Sequence, residues 1–130
     1  MQTTERDARR TALVVDYDAW ERSFTTEVLT ERGYVVFGAS NGASGLRLAE
    51  QHECDVILLD LALPELSGPE FLQQVKSADT TREIPVIVLG ADPCGATGTA
   101  EGCLPKPLEG MRMLSEVARV LARSNDRVGT

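Results

Sequence analysis

The chain has 130 residues, one domain's worth, enough to bury a single core and too few for a multidomain enzyme. Thirteen Lys and Arg against twenty Asp and Glu leave a formal charge of −7, which excludes the basic footprint of a nucleic-acid binder. Its apolar runs, such as Val56 to Leu59 and Val86 to Leu89, fall far short of the roughly 18 to 20 residues that span a bilayer, so no transmembrane helix and no membrane partner is expected.

The first ten residues, Met1 to Arg10, are polar and lack the apolar core of a secretory signal, which points to the cytoplasm. They are expected to be a flexible segment, as is the tail at 124–130, with the domain between them at 11–123. The first strand is Leu13-Val14-Val15. A helix follows, with Trp20, Phe24 and Val28 as its packing stripe, and Gly33 suits the left-handed position after it. Val35-Val36-Phe37 is the second strand. The turn at Asn41-Gly42 leads into a helix marked by Ala43, Leu46 and Ala49, and His52 near its end is expected to face solvent. Val56 to Leu59 is the third strand, apolar without alternation and therefore buried on both faces. Gly68 and Pro69 open the next helix, which packs through Phe71, Leu72 and Val75. Val86 to Leu89 is the fourth strand. Gly90, Pro93, Gly95, Gly98 and Gly102 then make a poor helix, so the fourth helix should be shortened or absent. Cys103-Leu104 is a weak fifth strand, and Met111, Leu114, Ala118 and Leu121 space out a last helix. Strands alternating with crossover helices give an α/β fold, a doubly wound parallel sheet of five strands.

In such a sheet ligands gather beyond the carboxyl ends of the strands. Asp16 and Asp18 follow strand one, Asp60 follows strand three, Gly90 follows strand four and Lys106 follows strand five. Clustered carboxylates repel one another unless a hard cation with oxygen ligands lies between them, and magnesium is the usual choice beside phosphate. A carboxylate can also act as nucleophile toward a phosphoryl group, with metal and lysine holding the charge of the product. Asp60, at the end of the most apolar strand, is the natural acceptor. Asp16 and Asp60 are metal-ligand candidates, and Asp18 is a further one whose plainer role is an N-cap. Cys54, Cys94 and Cys103 form no Cys-x-x-Cys pair and read as three reduced thiols, with too few neighbouring ligands for zinc.

The series Leu13-Val14-Val15-Asp16, Asp55 to Gly68 with Leu-Leu-Asp60 and Pro64, Ile84 to Leu89, and Leu104-Pro105-Lys106-Pro107 resembles the receiver domain of two-component response regulators. The resemblance runs from about Thr11 to about Arg123. It implies a flavodoxin-like, CheY-like sheet of order 2-1-3-4-5, phosphorylation at Asp60, phosphate contact by Lys106 and a cis bond at Lys106-Pro107. It also implies a sensor histidine kinase or phosphotransfer protein upstream and a protein effector downstream, hence a signalling module and not an enzyme.

Three positions depart from the family. Tyr17, expected as a packed rim residue, stands where a second acid would ligate magnesium, so magnesium should bind weakly. Gly90 replaces the Ser or Thr that contacts the phosphoryl group, and Cys103 replaces the aromatic that moves with it. A phosphorylation-independent pseudo-receiver, acting as an interaction module, is therefore the alternative function. A minor third reading is a haloacid dehalogenase-like hydrolase using Asp16 and Asp18, because Val14 to Asp18 fits its Asp-x-Asp motif.

Overall fold

The structure is a computed structural model that describes residues 9–91 and 98–129, with side chains as far as 124. Five parallel strands, β1 (Thr11–Val15), β2 (Val35–Ala39), β3 (Val56–Asp60), β4 (Val86–Gly90) and β5 (Gly102–Pro105), form one sheet of order β2-β1-β3-β4-β5. The helices are α1 (Ala19–Glu31), α2 (Gly42–Gln51), α3 (Gly68–Ser77) and α4 (Gly110–Gly129). This is the doubly wound, flavodoxin-like arrangement that the alternation of apolar runs predicts. The last helix extends past Arg123, where the sequence places the end of the domain.

Side-chain alternation along the strands divides the core in two. Leu13, Val15, Ile57, Leu59, Val86 and Val88 face α2 and α3, where Phe71, Leu72 and Val75 complete one cluster. Ala12, Val14, Val56, Leu58, Ile87 and Leu89 face the other way and meet Leu29 of α1 and Met113, Val117 and Val120 of α4. Phe71, Leu72 and Val75 thus pack as their spacing predicts.

Other helix faces lie about one position away from the expected stripes. In α1 the buried residues are Thr25 and Leu29, whereas Trp20 is 87% exposed and Phe24 38%. An apolar run at spacing four fits two adjacent faces of a helix, and burial of Leu29 in the cluster that holds Ala12, Val14, Val56 and Leu58 fixes the phase here. In α2 the inward residues are Gly42, Gly45 and Ala49, because the helix lies so close to the sheet that a Cβ on Gly45 would sit 2.9 Å from both Phe71 and Val15 side chains. In α4 Met113, Val117, Val120 and Leu121 face inward, and Met111 is exposed. His52 is half-buried instead of facing solvent: it caps α2 and stacks on Phe37 with ring centroids 4.0 Å apart.

Between β4 and β5 the described residues, Ala91 and 98–101, contain no helix, in line with the glycine-rich sequence, and 92–97 lie outside the described residues. The approach to β5 is anchored by Glu101, whose carboxylate accepts Val86 N–H at 2.8 Å and pairs with Lys76 Nζ at 2.9 Å. Cys103 is disulfide-bonded, which corrects the reading of a reduced thiol there, while Cys54 is free and buried. Cys94 lies outside the described residues. Among the described residues no helix is long and apolar enough to cross a membrane.

Candidate functional site

The site is set by strand register. Val15 pairs with Leu59, so the next residue on each strand, Asp16 and Asp60, emerges at the same level of two adjacent parallel strands. Neighbouring strands are about 4.8 Å apart, and the two carboxylates therefore converge. Both are buried, Asp16 completely. Asp16 Oδ1 accepts the backbone N–H of Asp18 at 2.9 Å, while its Oδ2 is buried without a hydrogen-bond partner. Burial pushes the Asp16 carboxyl up to about 7 against the Asp18 N–H, and the charges of Asp60 and Glu21 push the same way.

Asp60 Oδ1 accepts Ala62 N–H at 3.0 Å and Lys106 Nζ at 3.1 Å. Those two donors leave Oδ2 as the oxygen with an available lone pair. Lys106 reaches this point because β5 ends beside β4, with Lys106 N–H on Gly90 C=O at 2.8 Å; the Lys106-Pro107 bond that follows is cis. Its ammonium also meets Glu21 Oε1 at 2.8 Å. Burial works against the charge on Lys106, but the Glu21 and Asp60 carboxylates outweigh it and raise its pKa.

Glu21 is the residue that sequence reasoning missed. Asp16, Glu21 and Asp60 can each turn one carboxylate oxygen to within 4.8 Å of the others. Asp18, in contrast, is an exposed N-cap whose Oδ1 accepts Trp20 N–H at 2.8 Å and Glu21 N–H at 3.1 Å. That capping places Glu21 third in α1, one turn above the strand ends. Such a residue often folds back on its own cap; here it leans over the sheet to Lys106 instead. Arg22 fixes the same turn by donating to Asp16 C=O at 2.7 Å. Tyr17 is 63% exposed, not packed, because the extended chain turns Asp16 inward and its neighbour outward.

The loop after Asp60 is held by contact with α3. A Cβ on Gly68 would fall 2.6 Å from Leu61 Cα, so only glycine allows this approach. Ser67 and Glu70 cap α3 reciprocally at 3.3 and 3.0 Å, and Glu65 takes a left-handed φ of 61° to complete the turn. Gly90 is buried at the end of β4, and a Cβ there would lie 3.4 Å from Leu61 Cδ1.

The donor set is chemically that of a hard-cation site: carboxylate oxygens only, two of them, Asp16 Oδ2 and Glu21 Oε1, buried without a hydrogen-bond partner. Asp16, Glu21 and Asp60 fit weak magnesium binding.

A fold of this topology with an acid-lined cleft and a lysine at the carboxyl edge is that of a signalling receiver. Residues 12–118 match the family described as the response regulator receiver domain, and the chain belongs to that family. It is 32% identical over 116 residues to the protein PilH of Pseudomonas aeruginosa, covering 85% of this chain and 96% of that protein. It is 31% identical over 122 residues to the probable transcriptional regulatory protein SilR of Salmonella typhimurium, covering 89% of this chain and 53% of SilR. The chain thus spans nearly all of the first relative and about half of the second. Among solved structures, chemotaxis protein CheY4 of Vibrio cholerae superposes with a TM-score of 0.81 at 28% identity, covering 87% of this chain and 99% of that one. The receiver domain of sensor histidine kinase PA1611 from Pseudomonas aeruginosa, solved with a magnesium ion coordinated in its active site cleft, gives 0.81 at 23% identity over 88% and 99% of the two chains, a likeness of fold. Receiver domains as a family are signalling modules that interact with histidine kinases and effectors.

Proposed function

We propose that this receiver domain accepts a phosphoryl group on Asp60 from a sensor histidine kinase or phosphotransfer protein and passes the signal to a protein effector. The observation that carries the reading is the Lys106 ammonium 3.1 Å from Asp60 Oδ1, in a buried cleft whose floor Asp60 shares with Asp16. Oδ2 attacks phosphorus, the bond from phosphorus to the donor atom breaks, and the donor leaves with the electron pair. The product is an acyl phosphate at Asp60. Lys106 is in place to hold a phosphoryl oxygen, and a bound magnesium ion would supply further positive charge toward the same oxygens, held by Asp16 and Asp60. Tyr17 and Trp20, both exposed around the start of α1, offer the donor an apolar contact beside the cleft.

A second reading keeps the fold and drops the phosphate. Gly90 carries no hydroxyl and Cys103 is committed to a disulfide, so neither supplies the usual side chains of a phosphate-driven switch. On that reading the domain is an interaction module. The hydrolase reading loses its second carboxylate, since Asp18 is exposed and occupied in capping α1. Incubation with acetyl phosphate and magnesium, followed by intact-mass analysis, separates the two receiver readings. A gain of one phosphoryl group that Asp60→Asn abolishes supports phosphotransfer, and an unchanged mass with sound partner binding supports the interaction module.

A further inference from the structure

Magnesium sites built on receiver-type clefts need hard anionic oxygens, and this chain has Tyr17 where one of them is expected. We infer that Glu21, reaching in from the first turn of α1, supplies the third carboxylate of the cation site in place of residue 17, and that Lys106 competes with the cation for it. The inference rests on the receiver reading of the cleft and adds to it a ligand from a different element.

Three observations carry it. First, Asp16, Glu21 and Asp60 can bring one oxygen each within 4.8 Å of one another. Octahedral magnesium at about 2.1 Å from its ligands sets neighbouring oxygens about 3.0 Å apart and opposite ones about 4.2 Å apart, so side-chain rotations that move the oxygens by about one to two ångströms close the set. Second, Asp16 Oδ2 is a buried carboxylate oxygen with no hydrogen-bond partner, in a residue with no exposed surface. A buried anionic oxygen of this kind is stable only beside a cation or a proton. Third, Glu21 Oε1 is also buried, takes no well-aligned hydrogen bond and meets the Lys106 ammonium at 2.8 Å. That geometry shows where positive charge is held between Glu21 and Asp60, and it leaves Asp16 Oδ2 outside the ammonium's reach.

The position of Glu21 is not accidental to the fold. Asp18 caps α1, so the helix begins directly over the carboxyl ends of β1 and β3, and the Arg22 guanidinium on Asp16 C=O locks that first turn to the strand end. A carboxylate on a pinned helical turn costs less to order than one on a loop. Lys106 becomes the variable element. When a divalent ion takes Glu21 and Asp60, the ammonium is released toward the open side of the cleft, where a phosphoryl oxygen would sit.

Isothermal titration calorimetry with magnesium and with manganese chloride on the full chain tests this directly. Glu21→Gln should weaken affinity at least tenfold, about 1.4 kcal/mol, and Lys106→Met should tighten it by removing the competing ammonium. Asp16→Asn should abolish binding, and circular dichroism on the same samples checks the fold. Glu21→Gln binding within twofold of wild type, while Asp16→Asn binds nothing, overturns the role of Glu21 and leaves the receiver reading intact. Wild-type protein that binds neither ion at millimolar concentration overturns both the inference and the cation site beneath it.

Discussion

Burial disfavours the charge on Asp16, and removing that charge should stabilise the fold in a pH-dependent way. Its carboxyl rises from 3.8 to about 7, chiefly through burial. A folded-state pKa above the unfolded value means that the native chain retains a proton that the unfolded chain gives up, so stability falls as pH climbs from about 4 to about 7. At 1.36 kcal/mol per pH unit the full loss above pH 7 is about 4 kcal/mol. Asp16→Asn keeps Oδ1 as acceptor for the Asp18 N–H and keeps the backbone carbonyl that holds Arg22. It places a neutral amide where the unpartnered oxygen lies. The variant should gain nothing over wild type near pH 4, then pull ahead by at most about 1.4 kcal/mol per pH unit and level off above pH 7 with an advantage of about 2 to 4 kcal/mol. Urea unfolding in EDTA at pH 4, 6 and 8 measures this. An advantage independent of pH, or none at pH 8, would refute the argument that the charge on Asp16, and not its packing, limits stability.

Other consequences can be checked on the same protein. Gly90→Ser should fold normally, since its Cβ meets the flexible Leu61 side chain at 3.4 Å. Its hydroxyl should tighten beryllofluoride binding by one charge-assisted hydrogen bond, about 1.5 to 3 kcal/mol, read from fluorescence of the single tryptophan, and unchanged affinity would remove residue 90 from the phosphoryl site. Gly68→Ala should cost about 2 kcal/mol or more in urea unfolding, because the clash is with Leu61 backbone at 2.6 Å and cannot be relieved by a rotamer change. At Glu65, where φ is 61°, glycine should be neutral to about 1 kcal/mol stabilising and valine clearly destabilising, as thermal melts would register.

The strands were legible because β3 and β4 are buried on both faces, which forces continuous apolar runs that no exposed helix would tolerate. From those runs and the rule for parallel sheets, Asp16, Asp60 and Lys106 could be assigned to one rim, and the strand register and the 3.1 Å pair from Lys106 to Asp60 bring them together. Helix phase was less legible. Trp20 and Phe24 carry the largest apolar surface of α1, yet the sheet selects Thr25 and Leu29, and no spacing rule within the helix distinguishes the two faces. Glu21 escaped for a related reason. A Glu three residues after an Asp reads as ordinary first-turn helix chemistry, and only the position of that turn over the cleft reveals its reach to Lys106. Nor does any local pattern in the sequence mark Cys103 as disulfide-bonded.

The charge of the cleft then decides how its functions are linked. Asp16, Glu21 and Asp60, set against Lys106, sum to −2 when all are ionised, and the raised carboxyl of Asp16 lessens that at neutral pH. Converting Asp60 to an acyl phosphate exchanges a single negative charge for nearly two and so increases the attraction for a divalent cation. Coupling of this kind is reciprocal: whatever factor phosphorylation adds to cation affinity, the cation returns to the equilibrium for phosphorylation. A chain that had lost the acid at position 17 without replacement would lose part of both. Glu21 therefore matters most where the two events meet, and Glu21→Gln should lower the equilibrium extent of Asp60 phosphorylation by acetyl phosphate at limiting magnesium while leaving it nearly unchanged at saturating magnesium. A deficit that persists undiminished at saturating magnesium would assign Glu21 to Lys106 alone and not to the cation.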